Sequence, residues 1–192
     1  MGFKVSVICE DHTLDQFVVR PVMAALLAYI GKPNAQVRVV TSPRIHGYED
    51  LLRQVCELVD RWAIISDVVI LAVDTDCEDG NTRPRNKPLS LANALRECER
   101  TENVVVVFAR QEIEVWALWG IRSQLGVPWA EVLDDCDPKE AFFEPQVTDA
   151  DRGRPDRGRT RLVASSLIAG WQSIKSGCEE LAQLEIDIRS LT

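Results

Sequence analysis

The sequence predicts an α/β fold: a four-stranded parallel sheet with helices on both faces, followed by a C-terminal α-helical extension. Three observations carry this expectation. Four short runs, 3–9, 35–41, 67–73 and 103–109, are almost unbroken stretches of apolar, largely β-branched residues, as strands covered on both faces must be. The segments between them repeat apolar residues at helical period. Strands that alternate with helices in this way form parallel sheets, because parallel neighbours need a crossover connection.

Taken in order, "FKVSVIC" (3–9) is the first strand. After Glu10, Thr13 and Gln16 have the spacing of a capping box. Leu14, Phe17, Val18, Val22, Ala25, Leu26 and Tyr29 then recur at helical period, so a helix is expected, bent or interrupted near Pro21. "AQVRVVT" (35–41) is the second strand, and Leu51, Leu52, Val55, Leu58, Val59 and Trp62 form the stripe of a second helix. The third strand, 67–73, leads into a loop that runs to Pro88. Leu91, Ala94, Leu95 and Cys98 mark a third helix, and "NVVVVFA" (103–109) is the fourth strand. From Glu112 onward helices are expected at 112–118, 121–126, 160–175 and 178–191. "TDADRGRPDRGRTR" (148–161), with its repeated D-R-G-R, reads as a mobile surface loop. The chain thus divides into an α/β core over 1–120 and a helical extension over 121–192 packed on it.

Composition narrows the function classes. At 192 residues the chain can bury a sizeable core, and 46% hydrophobic with 27% charged residues is ordinary for a globular protein. A formal charge of −8, from 22 basic and 30 acidic side chains, argues against broad adhesion to nucleic acid or anionic membrane but allows a local basic patch. No apolar stretch approaches the roughly 20 residues of a membrane span, and no signal peptide opens the chain, so no membrane partner is expected and the cytoplasm is the default. The opening M-G-F-K-V-S formally fits a myristoylation signal, yet residues 3–8 read as a core strand. Six cysteines, at 9, 56, 77, 98, 136 and 178, lack metal-site spacing and read as small core residues.

The chemistry-bearing residues gather where the strands end. "VVILAVDTDCEDG" (68–80) stops an apolar run at Asp74 and Asp76, with Glu78 and Asp79 close behind. Carboxylates so close together repel unless something cationic lies among them. In open parallel sheets ligands bind at the carboxyl ends of strands, where the winding reverses. If the first and third strands are neighbours, Glu10 meets Asp74 and Asp76 there. An extended backbone past Val73 would point both aspartates the same way. Glu114, and less strongly Glu112, follow the fourth strand. Such an oxygen-only set favours Mg²⁺ or Mn²⁺.

The order of these motifs resembles the Toprim domain, the metal-dependent phosphoester-handling fold of topoisomerases, primases and OLD-family nucleases. It is most similar to a small prokaryotic Toprim-like family associated with anti-phage defence ATPases. "VICEDHT", "LAVDTD", "EIEVW" and "DPKEAF" (137–142) carry the resemblance, together with the closing "GCEELAQLEIDIRSL". Asp11 stands where the family usually has Gly. Leu14 stands where an acid often sits, with Asp15 one place late.

The resemblance implies a Mg²⁺- or Mn²⁺-dependent phosphodiesterase or nuclease acting on DNA or RNA. Asp74, Asp76 and Glu114 would be metal ligands, and Glu10 a ligand or the general acid or base. Arg83, Arg85, Lys87 and Lys139 are candidate phosphate contacts, and Arg152, Arg154, Arg157, Arg159 and Arg161 join them unless Asp149, Asp151 and Asp156 neutralise that segment. His12 and His46 are ordinary loop residues by default. Trp116, Trp119, Trp129 and Trp171 can stack on bases, but their apolar neighbours favour packing. The chain has no G-x-x-x-x-G-K-[ST] loop, so a nucleotide-driven step needs an ATPase partner. A homo-oligomer is compatible with the sequence. The alternatives are a non-catalytic Mg²⁺-binding regulatory module partnering an ATPase, and a D-x-D nucleotide-sugar transferase.

Overall fold

The structure, a computed structural model, describes residues 2–76 and 86–192. At its centre lie four parallel strands, β1 (Lys4–Cys9), β2 (Gln36–Val39), β3 (Val68–Asp74) and β4 (Val104–Ala109), in the order β2-β1-β3-β4. The helices are α1 (His12–Tyr29), α2 (Tyr48–Ala63), α3 (Lys87–Leu95), α4 (Glu114–Leu118), α5 (Trp129–Asp134), α6 (Asp149–Arg152), α7 (Arg159–Leu167), α8 (Trp171–Gly177) and α9 (Glu179–Leu191). No described helix is long and apolar enough to cross a membrane.

Successive side chains of a strand leave opposite faces, so the sheet feeds two cores. Val5, Val7, Cys9, Val68, Ile70 and Ala72 pack with α1, α4, α7, α8 and α9. Ile8, Val69, Leu71 and Val73 pack with α2 and α3. The α2 stripe of Leu51, Val55, Leu58, Val59 and Trp62 is buried as its period predicts. The four tryptophans named above serve packing too: each indole N–H is bound inside the protein, Trp116 to Glu180, Trp119 to Ser173, Trp129 to the Gly177 carbonyl and Trp171 to Glu185.

The start of α1 differs from expectation. Asp11 is its N-cap, accepting the Thr13 N–H at 2.8 Å, and Gln16 donates to the Thr13 carbonyl instead of completing a capping box. The inward stripe is Asp15, Val18, Val19, Val22, Met23, Leu26 and Leu27, one position round from the predicted one, and Tyr29 is exposed. The helix runs through Pro21 without interruption. Proline removes one hydrogen bond there, and the apolar face pressed on the sheet on either side of it offsets the loss.

The extension holds the larger corrections. The 148–161 segment is folded: Thr148 and Asp151 form a capping box on α6, and Asp151, Asp156 and Arg159 are buried. Its acids and bases do compensate one another, Arg161 with Asp151 at 2.7 Å, Arg154 with Asp156 at 3.5 Å and Arg152 with Asp149 at 3.6 Å. The helix expected over 160–175 breaks at Gly170, whose φ of +78° suits glycine. Gly120, just after α4, touches α7 so closely that a Cβ would fall 2.3 Å from the Ser165 and Ser166 backbone. Ser166 Oγ accepts the Gly120 N–H and donates to the Ala117 carbonyl, which fastens the extension to the core.

Cys56 in α2 and Cys98 beyond α3, expected simply as small core residues, pack against the core but form a disulfide, Cα–Cα 4.7 Å. Cys9 and Cys178 are free and buried, as expected. Because the bridge spans 42 residues, Cys98→Ser should lower unfolding free energy by up to about 4 kcal/mol through the entropy of the unfolded chain. Urea unfolding measures this, with non-reducing peptide mapping to detect the Cys56–Cys98 link in the parent protein.

Candidate functional site

The winding of the sheet reverses at β1, which has β2 on one side and β3 on the other. Cys9 pairs with Ala72, so the next residues bring the ends of β1 and β3 together. There the Asp74 N–H donates to Glu10 Oε1 at 3.2 Å. The expected meeting of Glu10 and Asp74 is present, but their side chains serve different faces. By alternation Glu10 follows Ile8 toward the α2/α3 side, and Asp74 follows Ala72 toward the α1/α4/α7 side.

On the first side lies Lys87, the opening residue of α3 and almost fully buried. Its ammonium donates to Glu10 Oε1 at 3.0 Å and to the Asp74 carbonyl at 2.8 Å, and it pairs with Asp76 Oδ2 at 2.7 Å. These contacts occupy its three donors, and the charge also sits 4.8 Å above the Tyr48 ring. Lys87 therefore braces the crest and does not reach outward as the sequence suggested. Burial works to depress its pKa, but the carboxylates of Asp76 and Glu10 outweigh it and hold the pKa above the ordinary lysine value. Glu10 moves upward from the usual range because burial outweighs the pull of Lys87.

Asp76 does not point with Asp74. Its backbone turns at φ +55°, its N–H donates to the Gln111 carbonyl, and its exposed carboxylate swings to Lys87. The extended geometry assumed for the D-x-D pair ends at Asp74. Glu78, Asp79, Arg83 and Arg85 lie outside the described residues.

On the second side Asp74 Oδ1 accepts the Ile113 N–H at 2.8 Å. Burial pushes its carboxyl well above the usual range, and Asp15, Glu10 and Glu114 push the same way. Asp15, on the first turn of α1, accepts the Asp11 N–H at 3.1 Å and is raised to about 8 by burial and by Glu114. Glu114 is buried and bonded to the equally buried Arg159 of α7, whose guanidinium lies 5.0 Å from the Phe143 ring. Two nitrogens of that guanidinium, Nε and Nη1, have no partner among the described residues. Glu112 accepts the Lys139 backbone N–H at 2.9 Å, faces its ammonium at 3.9 Å, and is raised to about 7, chiefly by burial.

Six carboxylates, Glu10, Asp15, Asp74, Asp76, Glu112 and Glu114, thus meet three cations, Lys87, Lys139 and Arg159. Asp15 and Asp74 have no ion pair among the described residues. In charge and donor type they fit a hard divalent cation, with Glu10 as the third acid at the crest. Among the described residues no group of three or more such side chains is placed to hold a metal ion, so the acids would have to turn toward one. Sequence reasoning undervalued Asp15 and Arg159. Asp15 was legible as the first member of the 15-18-19-22-26 stripe, whereas Arg159 is hidden among similar arginines.

An acid whose pKa rises on folding holds its proton more tightly in the native state. Its contribution is therefore fully present below the unfolded value near 4 and is lost as pH climbs through about 8. Over that window stability should fall by on the order of 1 kcal/mol per pH unit. Asp15→Asn keeps an acceptor for Asp11, so it should raise the thermal midpoint at pH 8, leave it nearly unchanged at pH 4, and flatten the slope in thermal melts. No family model, curated protein or solved structure matches this chain.

Proposed function

We propose that this chain is a Toprim-like, Mg²⁺- or Mn²⁺-dependent phosphodiesterase that cleaves DNA or RNA, acting in a defence system beside a separate ATPase. The observation that carries the reading is the gathering of Glu10, Asp15, Asp74 and Glu114 at the winding reversal, where Asp15 and Asp74 have no ion pair among the described residues. Carboxyls raised by burial and mutual repulsion hold either a proton or a metal ion, and a chain that uses them for metal need not spend other residues on neutralising them.

Hydrolysis joins a water oxygen to phosphorus and breaks the bond to the leaving sugar oxygen, with one proton given up and one supplied. Glu10, whose pKa burial raises and whose carboxylate Lys87 steadies, is suited to accept or return that proton. Arg159 holds Glu114, and the Ile113 N–H holds Asp74, contacts that would have to loosen for either acid to turn toward an ion. A bound divalent ion would supply Lewis-acid stabilisation of the phosphate oxygens.

Lys87 favours a second reading. A built-in ammonium that already satisfies Glu10 and Asp76 suits a regulatory module that binds an ion and does no chemistry. The D-x-D transferase gains no such support, because its diphosphate clamp needs both aspartates on one side and Asp74 and Asp76 take different partners.

Plasmid, single-stranded DNA and RNA should be cut in Mg²⁺ or Mn²⁺ and not in EDTA. Glu10→Gln and Asp74→Asn should each reduce the rate by about 100-fold or more. Calorimetric metal uptake without cutting would select the module. Neither uptake nor cutting would overturn both readings.

A further inference from the structure

Beside the acid crest, on the β2 side, lies a cleft of about 710 Å³. Its wall combines Arg44 and His46, from the connection between β2 and α2, with Arg152, Arg154 and Arg157 from the segment between α6 and α7, and Glu10 belongs to the same wall. In a chain of net charge −8, four arginines around one cleft are a local reversal of sign. Arg152 and Arg154 are partly answered by Asp149 and Asp156, at 3.6 and 3.5 Å. Arg44 and Arg157 are exposed and have no ion pair among the described residues. Arg157 also holds a left-handed backbone, φ +46°, where glycine would be relaxed. Asp11 is the other acid of the wall and is used as the cap of α1.

We infer that this cleft is the track for the phosphate backbone of a single nucleic-acid strand, with Arg44 and Arg157 as its principal contacts, leading a phosphodiester to Glu10. The inference rests on the proposed function and says where that function's substrate lies. Arginine's fixed fork of donors matches phosphate oxygens, and backbone contacts of this kind position a strand without reading its sequence. A cleft of this volume is on the scale of small-ligand sites, which suits a short stretch of one strand better than a duplex.

The test reads binding separately from cutting. Fluorescence anisotropy of a labelled oligothymidylate, with the full chain in EDTA across a salt series, should show binding that weakens steeply with salt. Joint Arg44→Glu and Arg157→Glu should weaken it at least about tenfold and flatten the salt slope by about 0.7 for each phosphate that is no longer neutralised. Arg157→Gly removes the same charge and relaxes the backbone, so it should weaken binding while the thermal midpoint stays at or above the parent's. Arg61→Glu, at the far end of α2, reverses one charge as each cleft Arg→Glu substitution does and should leave binding unaltered. The cleft is overturned if the parent does not bind, if the cleft variants bind as the parent does, if Arg61→Glu costs as much, or if duplex competes better than single strand. Binding that depends on Arg44 and Arg157 upholds the cleft even where Mg²⁺ brings no cutting, a result that sinks only the nuclease reading. Cutting that persists at the parent rate in the cleft variants sinks only the cleft.

Discussion

The contact between the Lys87 ammonium and the ends of β1 and β3 is the constraint on which the candidate site depends. One cation reaches Glu10, the Asp74 carbonyl and Asp76, and so ties three pieces of chain that like charges would otherwise drive apart. Arg159 does the corresponding work on the opposite face through Glu114. Both bases open helices, Lys87 in α3 and Arg159 in α7, where the helix dipole disfavours positive charge. That placement is unfavourable on its own and is sustained by the acids it meets. Removing either base would leave a buried or half-buried carboxylate uncompensated, which is costlier than never having formed the pair.

This arrangement gives the site two levels of neutralisation. Glu10, Asp76 and Glu114 have cations supplied by the protein, at contacts made when the helices dock. Asp15 and Asp74 have no ion pair among the described residues, and burial leaves them with raised pKa values. A fold that wanted only stability would pair or replace them, because desolvated carboxylates that repel one another oppose folding as they ionise. Their presence at the winding reversal is the feature that the proposed cation would account for.

The strands, their parallel order and the α2 stripe were legible because each is a local pattern repeated over several residues. The meeting of Glu10 with Asp74 followed from one topological assumption, that the first and third strands are neighbours. What escaped depends on contacts remote in sequence or on a single dihedral angle. The left-handed turn at Asp76 falls on a residue type that gives weak warning of it, and it converts an apparent pair of ligands into one inward acid and one outward acid. The Cys56–Cys98 bridge joins positions whose local patterns each read as ordinary helix packing. The D-R-G-R repeat looks uniformly solvated, yet Arg159 is buried while Arg157, two residues earlier, is exposed, a difference set by where α7 begins.

An acidic centre and an acidic chain need not repel a polyanion, because screening confines each charge to its surroundings. At physiological salt the Debye length is about 8 Å, so an incoming phosphate responds to the groups that line its path more than to the chain's net charge. The arginines beside Glu10 would stand on that path if the proposed strand binds there, while Glu10 and Glu114 behind them are held by Lys87 and Arg159. On the proposed reading, attraction at the cleft would draw a strand in, and repulsion at the crest would keep its phosphate at the boundary until a cation joined Asp15 and Asp74. Juxtaposed in this order, opposite local charges would make binding and chemistry separable, with a strand held before the centre is complete.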